Sequence, residues 1–192
     1  DNARFNIDAT YRSDVVPQEL HRLSHLEHFD ARGNNLVGAL PEYWASLNHL
    51  TYLSFAWNDI RGSIPSSFTA LTALCTLSLM TNKMDGTIPP VFSTTLSSID
   101  LSGNQFSGRI PEFLGSLSGL ITLELTGNNF TGAIPRSFTN LKYVSSLDLG
   151  SNQLSSGLDV ISEMTWLTMI FIDSNRFADA FPNHLSWPSV SV

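Results

Sequence analysis

The stretch LTALCTLSLMTNKMDGTIPPVF, residues 71–92, decides the fold of this 192-residue chain. Its frame places apolar residues around one asparagine and continues with a glycine and a proline: Leu71, Leu74, Leu77, Leu79, Asn82, Met84, Gly86, Ile88, Pro89 and Phe92. Residues 47–68 and 117–138 fit the same frame. Such self-similarity at a fixed period predicts one small unit that is copied and stacked.

The frame asparagine recurs along the chain at intervals of 24, 24, 22, 24, 24 and 23 residues. The seven positions are Asn34, Asn58, Asn82, Asn104, Asn128, Asn152 and Asn175. A side-chain amide both donates and accepts hydrogen bonds, so it can satisfy backbone groups that a turn leaves exposed. Stacking is therefore predicted to align these asparagines in a ladder. The short interval arises because two residues are missing between Phe92 and Leu96.

Each frame also predicts its local structure. Two apolar residues that alternate with a polar one, such as Leu77 and Leu79, are typical of a strand with one buried face. The glycines suit a tight backbone or a positive φ, and they are Gly38, Gly62, Gly86, Gly108 and Gly132. The prolines suit the start of a short helix, and they are Pro41, Pro65, Pro89, Pro111 and Pro135.

This frame resembles the leucine-rich repeat, LxxLxLxxNxL, and its continuation LxGxIP resembles the plant-type subclass, which also occurs in surface proteins of some protists. In the motif LPEYW, Trp44 stands where plant repeats usually carry Leu or Phe. In this feature the chain resembles kinetoplastid surface antigens. The resemblance implies an α/β solenoid: a right-handed superhelix with a parallel β-sheet on its concave face and short 3-10 or helical segments on its convex side. It does not by itself imply one function.

The chain is predicted to form a single domain. Residues 1–22 are interpreted as a degenerate first repeat, residues 23–182 as seven repeats, and residues 183–192 as the start of a truncated next repeat or a C-terminal cap. Terminal repeats need polar caps, because the exposed end of a stack is apolar. The resemblance implies caps with paired cysteines, but Cys75 is the only cysteine. Caps are expected outside this sequence, or the ends meet a partner or a second copy.

Composition and motifs argue against several functional classes. The formal net charge is −7, and the ten Lys and Arg residues form no basic stripe, which disfavours nucleic acid as a partner. The sequence has no apolar run of about 18 residues, so a membrane would be reached only through regions outside it. No GxSxG, HExxH or phosphate-binding glycine loop occurs, and the histidines have no convergent spacing. We therefore expect no catalytic activity, no bound metal and no cofactor.

Residues six, four and two positions before each asparagine are predicted to point outward from the stacked strands. Asp100, Glu124 and Asp148 fill one such position in three successive repeats, and the hydroxyls of Ser102 and Thr126 flank them. The hypothesis is a docking stripe for a basic peptide, a cation or a hydroxyl-rich sugar. The alternative is an acidic face that only aids solubility.

Apolar residues are expected towards both ends of the same face. Tyr52, Trp57 and Met80 lie in the second and third repeats, and Phe171 lies in the seventh. Exposed aromatic residues are favoured anchors of interfaces, so these four are candidate ligand contacts. Two alternatives stay open: Trp57 contacts neighbouring repeats, and further chain covers Phe171.

The sequence favours a non-catalytic recognition module on the cell surface or outside the cell, which binds a protein, peptide or glycan through the concave face. One alternative is an assembly unit of a surface coat or an extracellular fibre. The other is an inhibitor of secreted hydrolases, since plant-type repeats resemble polygalacturonase-inhibiting proteins. Asn129-Phe130-Thr131 is an N-glycosylation sequon on a predicted turn, and glycosylation of Asn129 would favour the secretory route.

Overall fold

The structure, a computed structural model, describes residues 3–6, 15–90 and 92–178. It is an α/β solenoid in which successive repeats add parallel strands to a main sheet and to a lateral layer, with short helices on the opposite side. The predicted fold class is therefore confirmed. The predicted start of a next repeat at residues 183–192 lies outside the described residues, as does the end of the seventh repeat.

The main sheet has eight strands that are all parallel. They are β1 (Ala3–Asn6), β2 (Leu26–Asp30), β4 (Tyr52–Ser54), β6 (Thr76–Ser78), β8 (Ser98–Asp100), β10 (Thr122–Glu124), β12 (Ser146–Asp148) and β14 (Met169–Phe171). From β2 onward, equivalent positions of neighbouring repeats align, as Leu123 does with Leu147. Because side chains alternate along a strand, the leucines enter the core and the flanking residues line one outer surface, called here the sheet face.

The lateral layer consists of two separate three-stranded parallel sheets. The first contains β3 (Val37–Ala39), β5 (Asp59–Gly62) and β7 (Lys83–Met84), and the second contains β9 (Ser107–Arg109), β11 (Asn129–Ala133) and β13 (Gln153–Ser156). All five predicted glycines lie in or beside this layer and have φ between 79° and 82°. In the sixth repeat Ser156 occupies the glycine position, and the left-handed residue is instead Gly157, one position later.

Short helices cover the side of the core opposite the main sheet. Five are 3-10 helices and the sixth is α-helical: η1 (Gln18–Arg22), η2 (Glu42–Ser46), η3 (Ser66–Ala70), η4 (Glu112–Ser116), η5 (Arg136–Asn140) and α1 (Leu158–Glu163). A proline directly precedes each 3-10 helix, as predicted, but Pro89 is followed by no helix within the described residues. The prediction for Pro89 is wrong because this repeat is two residues short. Among the residues described, no helix has the length and hydropathy to cross a membrane.

The asparagine ladder runs between the main sheet and the lateral layer. The Oδ1 atom of Asn128 accepts a hydrogen bond from the N–H of Phe106 in the preceding repeat at 3.0 Å. Its Nδ2 atom donates to the carbonyls of Leu101 and Leu125 at 3.0 and 3.1 Å. The same three partners recur at five further positions: Asn58, Asn82, Asn104, Asn152 and Asn175. Each amide thus binds its own turn to the repeat before it.

One continuous apolar core fills the solenoid. Trp44, the unusual residue of the first repeat, is completely buried and packs edge-on against Phe55 and Phe68 with ring centroids 5.6 and 5.9 Å apart. Burial of one large apolar side chain contributes on the order of 2 kcal/mol. Trp44 therefore stabilises the stack and is not available to a ligand.

Candidate functional site

Three carboxylates form one row across the sheet face. Asp100 aligns with Glu124, and Glu124 aligns with Asp148, in the parallel pairing of β8, β10 and β12. Neighbouring parallel strands lie about 4.8 Å apart, so the three side chains are immediate neighbours. We call Asp100, Glu124 and Asp148 the carboxylate row. Stacking thus brings together residues that lie 24 positions apart in the chain.

Burial and the charges of neighbouring carboxylates make ionisation of Glu124 and Asp148 unfavourable. The pKa of Glu124 is raised by partial burial and then by the charges of Asp100 and Asp148. The pKa of Asp148 is also raised, chiefly by burial, although hydrogen bonds from Gly150 and Thr126 partly offset the effect. No Lys, Arg or His of the described residues forms an ion pair with any member of the row. The row is an uncompensated negative surface.

Hydrogen bonds hold the two outer carboxylates in place. The hydroxyl and the backbone N–H of Ser102 both donate to Asp100, and the N–H of Gly150 donates to Asp148 at 3.0 Å. Ser102 was expected as a ligand contact, but it is only 4% exposed because its side chain turns towards Asp100. Its role is therefore to position that carboxylate. The carboxylate of Glu124 accepts no hydrogen bond within the described part of the chain and remains open to a partner.

The oxygens of neighbouring side chains crowd Gly150, which is buried beside the row. A Cβ atom added there would stand 2.9 Å from Oδ1 of Asp173, 3.3 Å from Oδ1 of Asp148 and 3.3 Å from Oγ1 of Thr126. Three oxygen atoms that can accept hydrogen bonds therefore converge beside Gly150, and they leave no room for a side chain at this position. The contribution of Asp173 was missed in the sequence because it lies two positions further along its repeat.

The N-terminal part of the sheet face has a different chemistry. The guanidinium of Arg32 forms an ion pair with Asp30 at 2.6 Å and donates to the hydroxyl of Tyr52 at 2.9 Å. The ring of Tyr52 stacks on His28, with centroids 4.2 Å apart and planes inclined by 8°. Burial alone would raise the pKa of Asp30, but the hydrogen bonds and charge of Arg32 lower it below its usual value. The sequence signal for this cluster was the spacing of two between Asp30 and Arg32.

The apolar candidates are exposed to different degrees. Trp57 is 52% exposed and Phe171 is 40% exposed, whereas Tyr52 and Met80 are half-buried. Trp57 also has a φ of 57°, in the left-handed region that a bulky residue adopts only at a cost. The equivalent position has a positive φ in every repeat: it is glycine in three of them, as at Gly33, and Thr81, Ser151 and Ser174 in the others. The left-handed conformation therefore belongs to the repeat turn, and the ligand contact of Trp57 stays a prediction that rests on the exposure of its indole.

The remaining sequence candidates lie away from the sheet face. Asn129 is exposed at the start of β11, and Thr131 of the same sequon is exposed two residues later, so the acceptor amide faces solvent in the lateral layer. The rings of His25 and His49 are neighbours, with centroids 5.8 Å apart. Within residues 15–90 and 92–178, no three His, Cys, Asp or Glu side chains are grouped as metal ligands would be.

Comparisons with known sequences agree with this architecture. A family profile described as Leucine rich repeat matches residues 94–154 and 118–177, and a second profile of the same description matches residues 49–71. Together these matches cover more than half of the chain. No curated protein sequence matches it. The likeness to protist surface proteins finds no support in these matches.

Solved structures of plant proteins share the fold over most of the chain. The crystal structure of a TDR receptor is 36% identical, with a TM-score of 0.81, and the match covers 85% of this chain and 29% of the receptor chain. The Arabidopsis receptor kinase HAESA, solved with the peptide hormone IDA and a co-receptor, is 32% identical, with a TM-score of 0.78 and coverages of 84% and 28%. A plant ice-binding protein is 29% identical, with a TM-score of 0.76 and coverages of 83% and 52%. The chain thus spans less than a third of the length of the two receptors.

Proposed function

This chain belongs to the leucine-rich repeat family, and from that premise we propose that it is a non-catalytic recognition module that binds a basic, extended peptide or protein segment across its sheet face. Cationic side chains of the ligand contact the carboxylate row. Repeats 4–6, which carry the row, are joined by paired strands in both the main sheet and the lateral layer, so this part of the surface loses little entropy on binding. Its contribution to recognition is to present residues from separate repeats in a fixed order.

The carboxylate row is the observation that carries this proposal. Within the described residues the carboxylate of Glu124 accepts no hydrogen bond, no cation neutralises it, and its pKa is raised. A bound Lys or Arg would relieve the repulsion between Glu124 and its neighbours Asp100 and Asp148. It would also supply donors to the oxygens that converge at Gly150. Charge pairing of this kind steers association and selects among partners.

Two further observations support a peptide as the ligand. Met169 and Phe171 lie on the strand next to Asp148 and are 50% and 40% exposed, so apolar side chains can pack beside the charged ones. HAESA, which shares the fold over most of this chain, was crystallised with a peptide hormone. A glycan would also find hydroxyl partners on this face, but it would not neutralise the row. The peptide therefore suits the electrostatics better.

We place the module outside the cell or on its surface, joined to a membrane only through regions beyond this sequence. The plant receptors that share its fold support that location. The exposed sequon at Asn129 supports it as well. Treatment of protein from a secreting eukaryotic host with an N-glycosidase should lower its mass by one glycan, and an Asn129→Gln variant should show no such shift. An unmodified Asn129 in the secreted protein would argue against this route.

The binding proposal is tested by selecting a random 12-residue peptide library on the immobilised full chain and measuring the enriched peptides by calorimetry. We expect Lys- or Arg-rich sequences. The variant Asp100→Ser/Glu124→Ser/Asp148→Ser should weaken their binding by on the order of 10- to 100-fold, because close charge pairs contribute about 1.5 kcal/mol or more. A matched control, Glu19→Ser/Asp59→Ser/Asp85→Ser, changes the net charge equally but lies away from the sheet face, and it should bind as the parent does.

A second pair of variants keeps every charge. Gly150→Ala adds a methyl group too close to the oxygens of Asp148, Asp173 and Thr126, so these side chains must shift and the selected peptides should bind more weakly. Gly119→Ala, whose Cβ would meet its nearest atom only at 4.0 Å, should not weaken binding. Equal losses in both triple variants would reduce the effect to net charge and contradict the proposal. Enriched peptides without basic residues would contradict it too. A concentration-dependent oligomer joined through the ends would favour the assembly role, and inhibition of secreted hydrolases would favour the inhibitor role.

A further inference from the structure

The layers of the solenoid are not equally continuous at the junction between the third and fourth repeats, residues 71–92 and 96–114. The main sheet crosses this junction without interruption, since the N–H of Leu79 donates to the carbonyl of Asp100 at 2.8 Å. The ladder also crosses it, because Asn104 accepts from the N–H of Met84 at 3.0 Å. The lateral layer and the layer of short helices are both interrupted at this junction.

The lateral layer is divided here. The first lateral sheet ends at β7 and the second begins at β9, so no ladder of paired strands joins them. Two backbone hydrogen bonds remain, from Gln105 to Met84 at 2.8 Å and from Ser107 to Gly86 at 2.7 Å. Within each lateral sheet, equivalent bonds such as Asp59 to Leu36 and Asn129 to Phe106 are flanked by paired strands. The bonds at the junction lack that reinforcement.

The helix layer is divided at the same junction. In the described residues no helix lies between η3 and η4. In five repeats the position eleven before the ladder asparagine holds a buried apolar residue: Leu47, Leu71, Leu117, Leu141 and Met164. In the first repeat it is Leu23, which is exposed. In the fourth repeat this position holds Ser93, whose hydroxyl donates to the carbonyl of Thr72. The two missing residues thus remove a helix and a core leucine together.

Links between neighbouring helices stop at the junction as well. The carboxylate of Glu42 accepts from the N–H of Ser67 at 3.0 Å, at the start of the next helix, and Glu112 accepts from the N–H of Ser137 at 3.0 Å in the same way. The equivalent position in the third repeat is Pro90. The contact that bridges the gap is the ring pair Phe92–Phe113, with centroids 6.1 Å apart.

We propose that this junction is a joint at which two blocks, repeats 1–3 and repeats 4–7, bend relative to each other, with the continuous main sheet as the hinge and the lateral layer as the part that opens. In a stacked repeat protein, stability is the sum of the repeats and the interfaces between neighbours, so one depleted interface localises motion. The joint also separates two groups of side chains on the sheet face. Arg32, Asp30, Tyr52 and His28 lie on one block, and the carboxylate row lies on the other. A ligand that spans both would fix the bend.

Residue-resolved amide hydrogen exchange of the full chain tests the joint without any ligand. The amides of Asp59, Gln105 and Asn129 each follow a ladder asparagine and each make one lateral hydrogen bond of 2.8 Å. The amide of Gln105 is expected to exchange severalfold faster than the other two, because it opens by local bending. The Leu79 amide, which crosses the same junction in the main sheet, should stay as protected as the Leu101 amide, which crosses the next one.

Two variants are expected to change the exchange rate of the Gln105 amide in opposite directions. Replacing residues 90–95 with SSFTALTA, the equivalent residues 66–73, restores the missing length and should slow Gln105 to the rate of Asn129. Phe92→Ala removes the bridging ring and should speed Gln105 further. The proposal is overturned if Gln105 exchanges as slowly as Asp59 and Asn129 in the parent chain, or if Leu79 exchanges as fast as Gln105, since the whole interface would then open rather than bend.

Discussion

The asparagine ladder and the carboxylate row run in parallel through the same repeats, yet stacking affects them in opposite ways. The amide of Asn128 finds complementary backbone partners in its own repeat and in the one before it. The carboxylate of Glu124 finds a like charge on each side. A periodic sequence thus stabilises the fold where each copy complements the next, and leaves an unfavourable surface where copies repel. A partner of opposite charge would relieve this repulsion.

The largest expected effect comes from breaking the ladder. Asn128→Ala should lower the free energy of unfolding by about 1–3 kcal/mol, because it leaves the buried N–H of Phe106 without an acceptor. The carbonyls of Leu101 and Leu125 each keep one donor, from Asn104 and Asn152. Chemical denaturation measures this. The adjacent Asn129→Ala, on an exposed side chain, should change stability by less than about 0.5 kcal/mol. Similar effects for the two variants would remove the distinction between ladder and surface asparagines.

A smaller effect of opposite sign is expected in the row. Glu124→Gln should raise the free energy of unfolding at neutral pH by on the order of 0.5 kcal/mol, a value already reduced for solvent screening of a partly exposed charge. The pKa of Glu124 is raised in the folded protein, so its protonation favours folding. The gain from the substitution should therefore vanish as the pH falls below the ordinary pKa of glutamate. A loss of stability at neutral pH would show that Glu124 has a stabilising partner.

Glu112 offers the contrasting pH dependence. Hydrogen bonds from the side chain and backbone of Ser137 lower the pKa of Glu112, so its contribution to stability is present above the usual pKa of glutamate and is lost as the pH falls through the lowered value. Glu112→Gln should destabilise the protein at neutral pH, and the difference should disappear in acid. Denaturation curves of both variants across the acid range would separate the two carboxylates. Parallel curves would contradict the assignment.

The fold was predictable from the sequence because periodic leucines, glycines and asparagines report directly on strand, turn and ladder. The carboxylate row followed from the same register, since equal spacing makes equal positions neighbours. The orientation of Ser102 did not follow, because a short hydroxyl side chain can face solvent or turn to a nearby carboxylate, and local geometry decides. The missing helix after Pro89 was equally hidden, since the proline was present and only the length of the segment was wrong.

Asp30 can be compared with the carboxylate row at the same position of the repeat. It occupies the same place as the members of the row, but Arg32 lowers its pKa. Arg32→Met should raise the pKa of Asp30, with little change in stability because the pair is near the surface. NMR titration of the Asp30 carboxyl carbon measures this, and Arg61→Met, in the lateral layer, is the control. An unchanged pKa would mean that Arg32 does not set the charge of Asp30.

The smallest expected effect is the response to salt. At about 1 M salt the Debye length falls to roughly 3 Å, so repulsion along the row is screened. The stability difference between the parent and Glu124→Gln should shrink, whereas the loss in Asn128→Ala should persist because buried hydrogen bonds are not screened. Denaturation at low and high salt checks both. If the stability loss in Asn128→Ala also shrank at high salt, the two variants would not differ in electrostatic character as expected.

Stacking places Asp100, Glu124 and Asp148 side by side, and no cation of the described residues neutralises them. Carboxyl-carbon NMR titration of the full chain tests this arrangement. Glu124 and Asp148 are expected to have pKa values above the ordinary values of their residue types and Asp30 a pKa below, and Asp100→Ser is expected to lower the pKa of Glu124. Ordinary or lowered pKa values for Glu124 and Asp148, unchanged by loss of Asp100, would contradict it.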